Sequence, residues 1–476
     1  MRREHDCLGE MDLPDDVYYG VQTLRAFQNF PISGMPVVRF PLYIDRLARI
    51  KRAAAKANKD SGALRPEISE AISEAVGKVL KGGYEAQFPL DIFQGGGYTS
   101  SNMNMNEVLA HMANEILTGR KGYDVVHPNT HVNMGQSTND VMPSALRLFC
   151  APAIDALAEV LEKSHTVLKK KAEEFADVVK VGRTCIQDAL PVTLGQEFGG
   201  YAALIERHIG LLKAIRPECF VLTVGGTAVG TGLGTTPGYF DNFYRHISED
   251  LGEAVTPEEN FFDGMQNADF YTRLHALVKS VAIGYSKIAR DMRLLSSGPR
   301  AGFGEITLPA VQAGSSIMPG KINPVMPEVI NQVAYQICGN DVAVTMATEG
   351  GELDLNVWEP VFLKNMAESF MLITNAAREF TARCLAGVTA NKEACARHAH
   401  NTLALATVTA ATLGYEEGVR VAQYAVDKNV SVREAALALK VMDEKDADTL
   451  LNPALLTEPA KSAELFEAWK KQKGLL

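Results

Sequence analysis

The sequence predicts a mainly α-helical protein whose centre is a bundle of long helices. Apolar residues repeat at helical spacing through four stretches: Leu146 to about Val179, Leu194 to Ile215, Ala268 to Leu295 and Val325 to Ala386. These stretches hold few prolines and few strand-like alternations, which favours a bundle over a sheet. Many are apolar on more than one face, as expected of helices buried between subunits as well as within one. At 476 residues the chain is too long for one simple core, so two or three domains are expected.

Composition narrows the function classes. Hydrophobic residues at 46% and charged residues at 22% are ordinary for a soluble globular protein. A net charge of −10 argues against a general nucleic-acid or anionic-membrane surface. Seven cysteines (Cys7, Cys150, Cys185, Cys219, Cys338, Cys384 and Cys395) form no CxxC pair, and the odd number in a large chain reads as free thiols in a reducing cytosol. The N-terminus lacks an apolar signal core, and no window is expected to reach the roughly 20 apolar residues of a membrane helix. The expected location is cytoplasmic.

In chain order, residues 1 to about 35 read as an extended arm. Leu42 to Leu80 is helical in pattern, through Ile44, Leu47, Ile50, an alanine run, Ile68, Ile72 and Val76. Gln94-Gly95-Gly96-Gly97-Tyr98-Thr99-Ser100-Ser101-Asn102 then leads into a helix expected to begin near Asn106. Amides and hydroxyls at a helix start suit a carboxylate, although Ser and Asn are also ordinary caps there. The run lacks GxGxxG spacing and a preceding Rossmann strand, so it does not predict dinucleotide binding. His127 and His131 are four apart, but Pro128 disfavours a continuous helix and no third ligand lies nearby, so no metal site is expected. Gln136-Ser137-Thr138-Asn139-Asp140 is a second concentrated hydrogen-bonding turn, placed before a long helix. From about Ala396 the patterns shorten, as in a small helical C-terminal domain, with Val430-Ser431-Val432-Arg433-Glu434 opening a short helix.

Helical periodicity is lost from roughly Ser296 to Pro324, a long irregular stretch inside a helical chain. Within it, Gly314-Ser315-Ser316-Ile317-Met318-Pro319-Gly320-Lys321-Ile322-Asn323-Pro324 gathers two adjacent hydroxyls, a lysine and an asparagine. Glycines there can take φ > 0 or admit close approach of other groups, and the prolines fix the path. The interleaved Ile317, Met318 and Ile322 suit a flap closing over a small polar ligand. On composition alone an ordinary Ser/Gly/Pro loop is equally consistent.

This run resembles the signature loop of the aspartase/fumarase superfamily, and within it the ammonia-lyases acting on aspartate. The resemblance extends to Tyr18 through Arg25, Thr99 through Glu107, Gln136 through Asp140, Gly182-Arg183-Thr184 and Asn340-Asp341, in one order over nearly the whole chain. It implies a three-domain fold divided near 1–140, 141–395 and 396–476, with a central long-helix bundle. It also implies a homotetramer with each site built from three subunits, and carbon–nitrogen elimination without a cofactor or metal.

The resemblance implies roles as well. Ser315 matches the catalytic serine that removes the proton beside the β-carboxylate, although nothing in the sequence alone selects Ser315 over Ser316. Thr99, Ser137, Thr138 and Ser316 match residues holding the carboxylate that becomes an aci-carboxylate; Thr184, Lys321 and Asn323 match those holding the other carboxylate. Asn139 matches a residue near the leaving amine. Preorganised donors at roughly 3 to 4 kcal/mol each would supply much of a typical barrier reduction, although they are not additive. Three residues depart from the family pattern. Tyr98 stands where glycine is usual, Cys185 where histidine or glutamine follows the threonine, and Thr130 where aspartate is usual in a secondary anion-binding segment. Tyr98 is expected either to reshape a pocket wall or to turn outward into a subunit contact. Cys185 is expected either to remove a strong hydrogen-bonding group beside Thr184 or to fill space. A lyase for a related amino diacid, a fumarate hydratase and a non-catalytic crystallin-like protein are the alternatives.

Overall fold

The long apolar patterns fold as helices in a computed structural model that describes residues 1–475. The pattern from Leu42 to Leu80 is two helices, α2 (Pro41–Asp60) and α3 (Pro66–Leu80), preceded by a short α1 (Val21–Asn29). Gly62, at φ +75, turns the chain between α2 and α3, and Pro66 supplies a first helical residue with no amide to satisfy. Then follow α4 (Thr99–Thr118), the 37-residue α5 (Thr138–Glu174), α6 (Leu194–Ile215), α7 (Tyr239–Leu251), α8 (Phe261–Gln266) and α9 (Asp269–Leu295). The pattern from Val325 to Ala386 is α10 (Val325–Glu349) and α11 (Glu359–Arg383), interrupted at Gly350-Gly351.

Strands are few and short. The first thirty-five residues are not simply an extended arm. They hold a hairpin, β1 (Arg2–Asp6) with β2 (Gly9–Leu13), and then α1. The stabilising partner of α1 lies far away in sequence. Glu107 on α4 accepts hydrogen bonds from the amides of Gly20 (2.9 Å), Gln22 (2.9 Å) and Thr23 (3.1 Å), and from the Thr23 hydroxyl (2.6 Å). A carboxylate thus satisfies the amides that a helix start leaves unpaired. Gly20 is required for this approach, because a Cβ there would lie 2.7 Å from Glu107 Cδ.

Compactness divides the chain into two units. One comprises Met1–Glu159, Gly210–Ala282 and Ala334–Thr374. Inside it α2 packs on α3 and α7, and α3 on α4. His275 of α9 bridges Asp341 of α10 and Ser369 of α11, with both ring nitrogens 2.9 Å from their partners. His275 and Ser369 are fully buried, so this Asp–His–Ser row pins three helices and exposes no nucleophile.

The other unit comprises Val160–Ile209, Ile283–Val333 and the chain from Asn375 on. It holds the hairpin β3 (Val179–Thr184) and β4 (Gln187–Thr193), α12 (Lys392–Asn401) and a C-terminal apolar cluster. Leu405, Val421, Val432, Leu450 and Trp469 are among the members of that cluster. The short helix expected near Val430 is Val432–Ala438, and Ser431 and Glu434 close its capping box.

One expectation is corrected. α5 contains an 18-residue window of mean hydropathy 1.4, long and apolar enough to cross a membrane. In this fold 67% of that window is buried inside the protein, as in a core helix.

Candidate functional site

The motif residues occupy three kinds of place: the starts of long helices, the tip of a hairpin and a long irregular loop. At the glycine-rich run, helix begins at Thr99 rather than near Asn106. Tyr98, in the left-handed region at φ 68, turns the chain into it. A position with that φ favours glycine. The Tyr98 side chain is fully buried, its ring centroid 6.2 Å from that of Tyr43. It is therefore neither turned outward into a subunit contact nor an accessible wall of a pocket. Thr99 is exposed, and its hydroxyl donates to the Gly96 carbonyl at 2.8 Å.

Ser137, Thr138 and Asn139 share the turn that opens α5. Ser137 Oγ accepts from the Asn139 amide (3.2 Å), while the Ser137 amide donates to Asp140 Oδ1 (3.0 Å). Asp140 Oδ2 also takes the amides of Gly225 (3.0 Å) and Thr227 (2.9 Å), so one buried carboxyl fixes two loops. Burial pushes Asp140 up to about 7 against those hydrogen bonds and the nearby Lys51 charge. Asn139 Nδ2 donates to the Ala228 carbonyl at 2.8 Å, and its Oδ1 accepts no hydrogen bond from the described residues.

Thr184 and Cys185 sit at the exposed tip of the β3–β4 hairpin. The turn is Cys185-Ile186, with both residues left-handed at φ 53 and 60. Such turns normally take Asn-Gly, so a thiol and a β-branched residue here carry backbone strain. Cys185 is exposed and does not fill space in a core. The strand before the tip is anchored by Glu305, which is fully buried. Arg183 grips Glu305 through two hydrogen bonds of 2.9 and 2.8 Å, with Lys180 Nζ at 3.3 Å and His398 Nδ1 at 2.9 Å. Burial works against the Glu305 charge, but these partners, Arg183 foremost, hold its carboxyl below the usual range.

The stretch between α9 and α10 is irregular apart from a two-residue strand, as its sequence predicts. Its flap is closed on itself: the Gly314 amide donates to the Lys321 carbonyl (2.9 Å), and Asn323 Nδ2 donates to the Gly314 carbonyl (2.7 Å). Ser315 Oγ accepts from the amides of Ile317 (3.3 Å) and Met318 (3.0 Å). Two amides aimed at one hydroxyl oxygen favour its deprotonated form. Ser316 and Lys321 are exposed, and no ion pair engages Lys321 among the described residues.

His127 and His131 are occupied locally. His127 Nδ1 accepts from the amides of Asn129 and Thr130 (both 3.2 Å), and His131 Nδ1 accepts from the His127 amide (2.8 Å). Among the described residues no group of three or more His, Cys, Asp or Glu side chains is arranged to hold a metal ion.

Two buried side chains escaped the sequence reading. Asn102 of α4 lies behind Thr138, with its Nδ2 3.1 Å from Thr138 Oγ1, and Lys51 of α2 lies behind Asn102, with its Nζ 2.6 Å from Asn102 Oδ1. A lysine beside Arg52 in a helical pattern reads as a solvated face, and Asn102 as one more capping residue. The available signal was the spacing of Asn102 and Asn106, both buried on one face of a single helix.

Comparison with known proteins agrees with the motif order. A family model described as Lyase matches residues 9–339, and one described as Fumarase C C-terminus matches 405–458. An aspartate ammonia-lyase from Bacillus subtilis is 44% identical over 98% of both chains. A fumarate lyase:delta crystallin structure from Brucella melitensis, bound to cobalt, superposes with a TM-score of 0.93 at 41% identity, covering 96% of this chain and 100% of that one. A class II fumarase structure from Schistosoma mansoni gives a TM-score of 0.93 at 34% identity, covering 96% and 99%.

Proposed function

The chain belongs to the aspartase/fumarase superfamily of lyases, and on that premise we propose that it eliminates ammonia from L-aspartate to leave fumarate, with Ser315 as the base. The observation that carries the role of Ser315 is the pair of main-chain amides donating to its hydroxyl oxygen. A serine is a poor base unless its anion is stabilised, and these amides act where that charge would form.

The C3 proton passes to the Ser315 oxygen, and the electron pair left on C3 moves into the adjacent carboxylate as an aci-carboxylate. Collapse of that species forms the C2–C3 double bond and expels the amine as ammonia. Ser137, Thr138 and Ser316 donate to the carboxylate whose charge grows, as does Thr99 once its hydroxyl turns from the Gly96 carbonyl. Thr184, Lys321 and Asn323 hold the other carboxylate, and Cys185 lies beside Thr184 at the same hairpin tip. The Oδ1 of Asn139 receives an N–H of the substrate ammonium. This route needs no cofactor or metal.

We also propose a cytoplasmic homotetramer with sites shared between subunits, and the three-part division 1–140, 141–395 and 396–476. The strained, exposed hairpin tip supports a shared site, and the separate C-terminal apolar cluster supports the last boundary. A second reading, a lyase for a related amino diacid, is favoured by Cys185 at the solvent-exposed tip beside Thr184. The deciding experiment follows fumarate absorbance with L-aspartate, malate, and N-substituted and 3-substituted aspartates. Efficient turnover of L-aspartate supports the first reading. Preference for a substituted aspartate supports the second, and efficient turnover of malate alone refutes both.

A further inference from the structure

We propose that Lys51 and Asn102 are positioning residues that fix the direction of the Thr138 hydroxyl, so that its proton is presented to the substrate carboxylate. The proposal rests on Thr138 being a substrate-binding hydroxyl. An ammonium group can only donate hydrogen bonds. Fully buried Lys51 Nζ donates to Asn102 Oδ1 at 2.6 Å and to Asn133 Oδ1 at 3.1 Å. With its oxygen held by the cation, Asn102 must turn its NH2 the other way. Nδ2 accordingly donates to Thr138 Oγ1 at 3.1 Å and to Asn133 Oδ1 at 3.2 Å.

Asn133 is equally constrained. Its Oδ1 also takes Asn106 Nδ2 at 3.1 Å, and its own Nδ2 donates to the Gln136 carbonyl at 3.1 Å. The charge on Lys51 therefore decides the orientation of both carboxamides. Thr138 Oγ1 becomes an acceptor toward the protein interior. Its own O–H has no acceptor among the described residues and is left for a carboxylate oxygen. A hydroxyl that accepts a hydrogen bond is also a stronger donor, because chains of hydrogen bonds polarise one another.

Burying an ammonium is unfavourable, and burial drags Lys51 down to about 7 while the Asp140 charge acts in the opposite direction. A methionine of similar length would fill the site without that cost. The cation is thus poorly explained as a packing device and well explained as a means of setting polarity.

Asn102→Asp tests this. The substitution keeps an oxygen toward Lys51 but replaces the donor facing Thr138 with an acceptor, so the Thr138 proton turns inward. The expected result is a folded protein, in which the new carboxylate pairs with the Lys51 ammonium at the loss of the hydrogen bond to Asn133 Oδ1. Its kcat/KM for L-aspartate should fall on the order of 100-fold, the effect of removing one preorganised donor. In a Thr138→Val background the same substitution should have no further effect. Lys51→Met supplies a second reading: kcat/KM falls in the same direction, and again not beyond Thr138→Val alone. Wild-type kcat/KM in either Asn102→Asp or Lys51→Met, with Thr138→Val impaired, overturns the relay and leaves the role of Thr138 standing. Near-wild-type activity of Thr138→Val overturns both.

Discussion

Gly314→Ala is the sharpest test of the flap. A Cβ at Gly314 would lie 2.5 Å from the Lys321 carbonyl oxygen, 2.6 Å from the Asn323 nitrogen and 2.9 Å from Ile322 Cα. All three are main-chain atoms, so no side chain can swing aside, and the two strands of the flap must part. Parting them breaks the Gly314–Lys321 and Asn323–Gly314 hydrogen bonds, about 1 kcal/mol each. A closed flap destabilised by about 2 kcal/mol should lower kcat/KM by roughly 30-fold. Gly320 is the internal control. It sits at φ +83 with nothing within 4 Å of an added Cβ, so Gly320→Ala carries only left-handed strain of about 1 kcal/mol. Steady-state kinetics on both variants should rank Gly314→Ala well below Gly320→Ala. Thermal melts should stay near wild type, because flap residues 315–322 contribute nothing to the buried core. A Gly314→Ala enzyme with wild-type kcat/KM, or the reverse ranking, would refute the reasoning.

Lys321→Ala should raise KM for aspartate by about 10- to 100-fold through loss of one charge-assisted contact, and an unchanged KM removes Lys321 from the site. Tyr98→Gly should destabilise the fold by about 2 to 4 kcal/mol, the cost of an emptied ring site less the relief of a left-handed backbone, with substrate preference unmoved; denaturant midpoints and the substrate panel check the two halves. Burial pushes Glu359 up to about 8 from its ordinary 4.5, so the folded protein keeps a proton that the unfolded chain releases. That stabilising contribution is whole below the unfolded value and lost as pH rises through about 8. Glu359→Gln should therefore match wild type near pH ~5 and gain over it near pH ~9, by up to ~4 kcal/mol; a difference constant with pH contradicts the assignment.

The long helices were legible because each buries an apolar stripe of helical period, a property of local sequence. α6 is the clearest case, running from Leu194 to Ile215 as its pattern predicts. What local pattern could not provide was structure stabilised from a distance. α1 depends on Glu107, which follows it by more than eighty residues, so its first turn reads as irregular chain. The start of α4 was misplaced because Tyr98 adopts a backbone conformation that its residue type does not advertise. The candidate site divides in the same way. Gly314 and Gly320 behave as glycines in such a loop should, one admitting close approach and the other taking φ > 0. The amides on Ser315 distinguish it from Ser316, which the sequence could not do. Lys51 was invisible, since its importance lies in burial and in partners on α4 and in the turn before α5.

The most direct measurement is fumarate release from L-aspartate by the wild-type protein and by Ser315→Ala at matched concentration and fold integrity. The account predicts steady production of fumarate by the wild type, and none above background from a Ser315→Ala protein with an unchanged melting profile. Comparable rates from the two proteins would contradict the assignment of Ser315 as the base.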